Sequence, residues 1–339
     1  MIKVAVVILN WNGQGFLEKF LPGVIENSSG EGTEIIVVDN GSTDGSMNYL
    51  KTLQPAIRVI ALDCNYGFAP GYAKALRMID ATYFLLLNSD VEVTPGWLTS
   101  LVGLMDSDPS VAACMPKIRS FRQRQFFEYA GAAGGFIDFF GYPFCRGRIL
   151  SSIEKDMGQY NTDAELFWAS GACMLVRASA YFEAGELDRD FFAHMEEIDL
   201  CWRFKRMGYK IMFCSKSLVY HVGGGTLPNN NPRKLYLNYR NNLFLLCKNQ
   251  PGHELLFILP IRILMDWLSA LSYLTSSVAF FKSVLHAHLS FLKALPVLVA
   301  KRRKVNRIAK KGSWPQIYKG SVVFDFFFRG VRYFNQLRF

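Results

Sequence analysis

With 339 residues, half of them hydrophobic and 14% aromatic, the chain can bury a full-sized core, and its composition argues against disorder. The formal charge of +10 suggests a nucleic-acid binder until it is divided along the chain: residues 1–250 carry 24 basic against 25 acidic side chains, and residues 251–339 carry 14 against 3. A neutral body with a basic tail argues against a DNA- or RNA-binding domain and points the tail toward an anionic membrane surface.

The opening MIKVAVVILNWNG has one lysine and too short an apolar run for a signal peptide, so it reads as a first buried strand. Beyond it the pattern alternates. Val4–Leu9, Glu34–Val38, Ile57–Leu62 and Tyr83–Leu87 are β-branched or apolar runs, separated by helical character at Phe16–Asn27, Ser46–Thr52 and Ala69–Asp80. Over residues 1–115 this predicts a Rossmann-like, mainly parallel central sheet with flanking helices. Residues 116–158, rich in Gly, Phe, Arg and Tyr, have no clean period and read as irregular. Regular structure resumes over Ala164–Val176, a helix near Glu196–Met207 ends at Gly208, and a strand follows at Lys210–Cys214. Seven cysteines without a CxxC pair read as reduced core thiols in a cytosolic body.

Two stretches carry the chemistry. VVDNGSTDGS (Val37–Ser46) and LLLNSDVEV (Leu85–Val93) are buried-strand runs that end abruptly in carboxylates and small polar groups, the way an α/β protein presents a nucleotide site at the carboxyl ends of its strands. The first strand leads into NWNG instead of GxGxxG, which argues against a nicotinamide-dependent oxidoreductase.

Six motifs in order, VVILNWNG, VVDNGSTDGS, NYGFAPGYAKAL, LLLNSDVEVTPGWL, EEIDLCWR and YHVGGG, give residues 1–250 a resemblance to the family 2 glycosyltransferases of GT-A fold, and especially to their rhamnosyltransferase-like branch. The resemblance implies a nucleotide-binding half (1–115), an acceptor and catalytic half (116–250), and a UDP- or dTDP-sugar as donor. Processive synthases are disfavoured by the absence of QxxRW.

On that resemblance Asp39 contacts the nucleotide base, flanked by Leu9 and Trp11, although DNGSTDGS equally suits a turn or helix cap, the role that best explains Asp44. Asn65, Gly67 and Gly71 stand in a loop where small residues let the backbone approach a ligand. Relatives often carry Asn where this chain has Ala73, which leaves only a backbone role there. The usual DxD triplet is Asn88-Ser89-Asp90 here, so Ser89 and Asp90 face the donor. Asp90 is then the charged ligand for a divalent cation, Mg²⁺ or Mn²⁺, with His221 and the diphosphate completing the set. A lone histidine after a strand can also be a satisfied structural residue. Glu197, with Glu196 beside it, begins the helix at EEIDLCWR. The family's Glu-Asp pair makes the second residue the base of an inverting transfer, and Glu in place of Asp lengthens the arm by a methylene. The helix N-terminus would favour the ionised form by roughly 0.3–1 kcal/mol, and both glutamates could serve only that terminus. Asp199 and Arg203 form an i,i+4 pair. Trp168 is the candidate platform for an acceptor sugar, with a core role as its alternative.

Residues 251–339 read as a basic, apolar, helical membrane-associated segment. Arg262 and Asp266 interrupt Leu255–Phe281, and Ser283–Ala300 runs into KRRK at Lys301–Lys304. This favours helices lying in or dipping into the cytoplasmic leaflet of the inner membrane. The chain is thus expected to move a sugar from a nucleotide donor to a lipid-linked glycan in bacterial surface polysaccharide synthesis. Its alternative is a catalytically inactive membrane-bound scaffold that keeps the nucleotide site.

Overall fold

The computed structural model describes residues 2–28, 30–53, 57–223, 231–274, 277–310 and 314–339. The apolar runs of the first third become β1 (Ile2–Asn10), β2 (Thr33–Asn40), β3 (Arg58–Leu62) and β4 (Ala81–Asn88), parallel to one another and joined through α1 (Gln14–Ser28), α2 (Ser46–Thr52) and α3 (Phe68–Ala75). Val4 to Ile8 and Phe84 to Leu87 are fully covered, which is why these strands read as unbroken apolar runs instead of alternating ones.

After β4 come β5 (Val91–Val93), α4 (Trp97–Ser107) and β6 (Val111–Ser120). Residues 116–158 differ from the irregular segment expected. Pro116–Ser120 finish β6, and four short strands follow: β7 (Gly135–Asp138), β8 (Pro143–Cys145), β9 (Arg148–Ile149) and β10 (Ser152–Ile153). Strands of two to four residues are too short to print a period in the sequence. The chain then makes β11 (Ala164–Glu165), β12 (Cys173–Arg177), α5 (Ala178–Glu183), α6 (Glu196–Met207) and β13 (Lys210–His221).

The large sheet has the order β11-β13-β6-β12-β4-β1-β2-β3, with β5 paired to β13. β12 lies antiparallel between β4 and β6 because it starts at the carboxyl edge, where Asn88 N–H bonds Ala172 O at 3.0 Å. The chain builds β2 and β3 on one side of β1 and returns to β4 on the other. This reversal opens a crevice at the carboxyl ends of β1 and β4.

The remainder is α7 (Pro232–Asn249), α8 (Gly252–Tyr273), α9 (Val278–Ile308), β14 (Ile317–Tyr318) and α10 (Val322–Phe328). α7 packs along α9, and α8 lies against both. β14 joins β7, so the last residues rejoin the body, with the Phe334 and Phe339 rings 4.9 and 5.4 Å from Phe136. By length and composition α8 and α9 are apolar enough to cross a membrane. Six of the seven cysteines are buried and none is paired; Cys64 is exposed.

Candidate active site

Strand register assembles the crevice. Asn10 pairs with Asp39 across β1 and β2, and Leu9 pairs with Asn88 across β1 and β4. The Asp39 carboxylate is 3% exposed and accepts hydrogen bonds from Asn10 Nδ2 (3.3 Å) and Ser42 N–H (3.0 Å). It therefore holds the DNGS turn at the carboxyl end of β2. Asp44 accepts from Gln14 N–H and Ser46 N–H, both at 3.0 Å, tying the starts of α1 and α2 together. Trp11 is exposed at the end of β1, and Ser89 Oγ lies near Gly13 in the same crevice.

The loop after β3 is fixed by Asn40, which sequence reasoning missed. Its Nδ2 donates to Asn65 Oδ1 and Gly67 O (both 3.1 Å), and its Oδ1 accepts from Tyr66 N–H (3.1 Å). Asn65 Oδ1 also takes the Gly67 N–H at 2.8 Å, so that oxygen is committed to the loop. At both glycines protein side chains occupy the space a Cβ would need. A Cβ at Gly67, where φ is +87°, would meet the Phe192 ring at 2.6 Å, and one at Gly71 would crowd Leu9 and Asn40.

Asp90 and His221, 131 residues apart, are brought together by pairing of β5 with β13 and by the Val222 N–H to Asp90 O bond (3.1 Å). His221 Nε2 lies 3.1 Å from Asp90 Oδ1 and its Nδ1 lies 3.3 Å from Glu128 Oε2, all three groups being buried. Burial opposes charge on the imidazole, but Glu128 and Asp90 outweigh it and push His221 up to about 10. Burial likewise opposes ionisation of Asp90, but His221 outweighs it and holds that carboxyl below its ordinary value. Glu128, hidden in the aperiodic segment FFEYAGAAGG, was not a sequence candidate.

Among the described residues no three His, Cys, Asp or Glu side chains form a ready metal site. The Asp90–His221 pair nevertheless fits two ligands of a divalent cation. Octahedral ligands at about 2.1 Å from an ion sit roughly 3 Å apart when adjacent, close to the observed separation, and Glu128 stands where a carboxylate commonly orients a ligating imidazole. Gly224 and Gly225 of YHVGGG lie outside the described residues.

On the far side of the Ser170–Ala172 turn stands α6. Its start has no side-chain cap; the chain enters through left-handed backbone at Phe192, His194 and Met195 (φ 64°, 71° and 72°). Glu197 packs beside Gly171, and Glu196 and Glu197 each keep a buried carboxylate oxygen without a hydrogen-bond partner among the described residues. Burial pushes Glu197 up to about 7, and burial plus Glu197 push Glu196 well above its ordinary value. This departs from the expectation of a helix terminus that keeps both ionised, because desolvation of a carboxylate outweighs the terminal dipole.

The strained entry to α6 is held by a residue absent from the sequence reading. Asn241 of α7 is fully buried, and its Nδ2 donates to Phe191 O, Ala193 O and His194 O at 2.9, 2.8 and 2.7 Å. Arg240 adds bonds to Asp190 O (2.9 Å) and Phe191 O (3.0 Å). The only sequence signal was a polar YRNN run inside an otherwise amphipathic helix. Asp199 pairs with Arg203 as expected (2.8 Å), and Lys248 bridges Asp199 to Asp188, both at 2.7 Å. The helix ends at Gly208 in the left-handed conformation.

Trp168 does not line this site. Its indole is 3% exposed, donates to Phe136 O at 2.8 Å and fills the space left by the missing Cβ of Gly135. An aromatic beside a glycine-bearing strand is packed as core, which corrects the expectation of an acceptor platform.

Known proteins resemble this chain in sequence and in fold. The sequence profile of glycosyl transferase family 2 matches residues 5–183. The N-acetylglucosaminyl-diphospho-decaprenol L-rhamnosyltransferase of Mycobacterium tuberculosis is 23% identical over 266 residues, covering 73% of this chain and 85% of that one. The rhamnosyltransferase WbbL of Escherichia coli is 23% identical over 215 residues, covering 62% and 80%. Among solved structures, Staphylococcus aureus TarS residues 1–349 with UDP-GlcNAc superposes with a TM-score of 0.55 at 14% identity, over 90% of this chain and 87% of that one. The Pyrobaculum calidifontis mannosyltransferase PcManGT with GDP-Man and Mn²⁺ gives 0.53 at 13%, over 90% and 85%. A parallel first half, a paired Asp90 and His221 and a buried acidic helix start thus coincide with a profile spanning more than half of the sequence, and the chain belongs to glycosyl transferase family 2.

Proposed function

We propose that this protein is an inverting glycosyltransferase that moves a hexosyl-type residue from a UDP- or dTDP-sugar to a lipid-linked glycan at the cytoplasmic face of the membrane, in assembly of a cell-surface polysaccharide. The observation that carries the reading is Glu197: a largely buried carboxylate, with no hydrogen-bond partner at Oε2 among the described residues, poised at about 7, across one turn from Asn88-Ser89-Asp90. A general base works best when its pKa lies near the working pH.

In the transfer, a lone pair of the acceptor hydroxyl attacks the anomeric carbon while the bond to the diphosphate oxygen breaks on the opposite face. The hydroxyl proton passes to Glu197, and the nucleoside diphosphate leaves with the bonding electrons. Asp39, with Leu9 and Trp11 beside it, takes the nucleotide end, and Ser89 and Asp90 face the diphosphate. A divalent cation held by Asp90 and His221 would neutralise the charge that builds on the leaving diphosphate. The rhamnosyltransferase relatives support a lipid-linked acceptor, one of them being named for a diphospho-decaprenol substrate.

Nucleotide release from UDP-, dTDP- and GDP-sugars, each with and without a polyprenyl-diphosphate glycan, tests the donor and the acceptor together. Anomeric NMR of the product tests the stereochemistry. Acceptor-stimulated release from one donor with inverted product is expected. A retained anomer overturns the single-displacement step, and donor binding without release under every condition favours the inactive scaffold.

A further inference from the structure

The charged pair that breaks the apolar run of α8 faces inward. Arg262 Nε bonds Asp266 Oδ1 at 2.9 Å, His288 lies 3.3 Å from the other carboxylate oxygen, and the guanidinium stacks 3.6 Å from the Tyr142 ring centroid. Arg262 stands mid-helix, so the middle of α8 is fastened to the body at the 139–142 turn. The opposite face is apolar at helical spacing: Phe257, Ile261, Leu264, Leu268 and Leu271 are exposed, Phe257 to 73%.

The same turn continues into α10. Phe139 N–H bonds Gly320 O, and Asp138 accepts the Val322 N–H at 2.9 Å. On α10, Val322 and Phe326 are buried while Phe324, Phe327 and Phe328 point out, the last two 67% and 77% exposed. With Phe139, these nine side chains at roughly 100 Å² each expose on the order of 900 Å² of apolar surface, beyond the few hundred Å² usual for a soluble monomer. The flanks are basic: Lys319, Arg329 and Arg338 are exposed, and the one acid of residues 314–339, Asp325, is buried and paired with Arg329 at 3.0 Å.

We infer that α8 and α10 form one docking plane for an anionic lipid surface, with α8 lying along the leaflet instead of crossing it. A crossing helix would have to drag the 139–142 turn and its sheet into hydrocarbon, whereas a surface helix buries its outer stripe and leaves the ion pair in protein. The plane differs from the KRRK segment the sequence favours, half of which is tied to protein: Lys301 is paired with Asp188 and Asp190 and Arg302 donates to Cys247 O, while Arg303 and Lys304 are exposed. The inference deepens the membrane part of the function proposed above and rests on it.

The test is co-sedimentation of the full chain with vesicles of about one-third phosphatidylglycerol in phosphatidylcholine. Phe327→Ser/Phe328→Ser and Leu264→Ser/Leu268→Ser are each expected to lower the partition coefficient at least about tenfold. Both should keep nucleotide release with a water-soluble glycan acceptor within about twofold. The native chain should be released from membranes by alkaline carbonate. Native partitioning of the Phe327/Phe328 variant removes α10 from the surface, and carbonate resistance shows that α8 spans. A lipid-free dimer dissolved by the same substitutions would assign the face to a second copy. A native chain that binds vesicles as described but releases no nucleotide overturns the transfer reading and leaves the docking plane standing.

Discussion

Replacing Glu197 by Gln separates catalysis from stability in opposite directions. Burial raises this carboxyl from 4.5 to about 7. A carboxyl whose folded pKa exceeds its unfolded one holds its proton more tightly in the native state, so the stabilisation is complete below about 4.5 and is lost as pH rises through 7. A rise of that size corresponds to about 3 kcal/mol of destabilisation in the ionised enzyme above pH 7, at roughly 1.4 kcal/mol per unit. Gln keeps the shape and removes the titration, so the variant should be more stable than the native chain by up to about 3 kcal/mol at pH 8. For a chain of this length that is about 4 °C in Tm, and the gain should vanish near pH 4.5. Acceptor-dependent nucleotide release should fall about 100-fold or more. In the native chain kcat should rise with pH through an apparent pKa near 7. Melting curves and release rates across that range check both halves. A variant that is inactive but no more stable at pH 8 would show that Glu197 is not buried as described, and a stabilised variant with native turnover would remove it as the base.

Three further outcomes follow from the site. Asp90→Asn takes away the charged partner of His221 and should abolish Mn²⁺-dependent nucleotide binding in calorimetry and lower kcat about 100-fold, while metal-stimulated activity in the variant would refute the ligand assignment. Asn241→Asp replaces an amide that donates to three carbonyls with a buried acceptor. It should cost about 3 kcal/mol or more in urea unfolding and slow kcat at least about tenfold with donor KM near native, whereas a change confined to KM would place its effect on the donor. A chain cut after Asn249 should fail to accumulate in soluble form, judged by the soluble yield and circular dichroism of the shortened protein.

The parallel first half of the fold was legible because parallel strands buried on both faces write continuous apolar runs, and because Asp39 and Asp90 end those runs. His221 was reached only through a motif resemblance, since nothing local says that a histidine 131 residues later will pair with Asp90. Glu128 was hidden by strands too short to carry a period. Asn241 was hidden for a different reason: its partners are backbone carbonyls of a loop some 50 residues earlier, and carbonyls leave no mark in a sequence. Trp168 was misplaced because an aromatic before a strand looks the same whether it faces a sugar or fills the gap at Gly135. Arg262 and Asp266 appeared as an interruption of α8 because hydropathy counts charges without knowing which face they occupy.

A chain cut after Asn249 should fail because residues 1–250 do not complete the fold on their own. The loop that leads into Glu197 is anchored through Asp188 and Asp190 to Lys301 of α9, and Asp188 also meets Lys248 of α7. Without α9, the carboxylate of Asp188 loses one of two cations that hold it far below its ordinary pKa against burial. The same helix buries Phe291, Leu298 and Val305, and β14 supplies an edge strand to β7. At roughly 1.5–3 kcal/mol for each buried side chain, these contacts alone approach the 5–15 kcal/mol by which a typical domain is stable. α9 therefore also holds the entry to α6. If the shortened chain instead folds and releases nucleotide with a soluble acceptor, the base is positioned by α7 alone, and the ion pairs to α9 serve only to attach the membrane-facing helices.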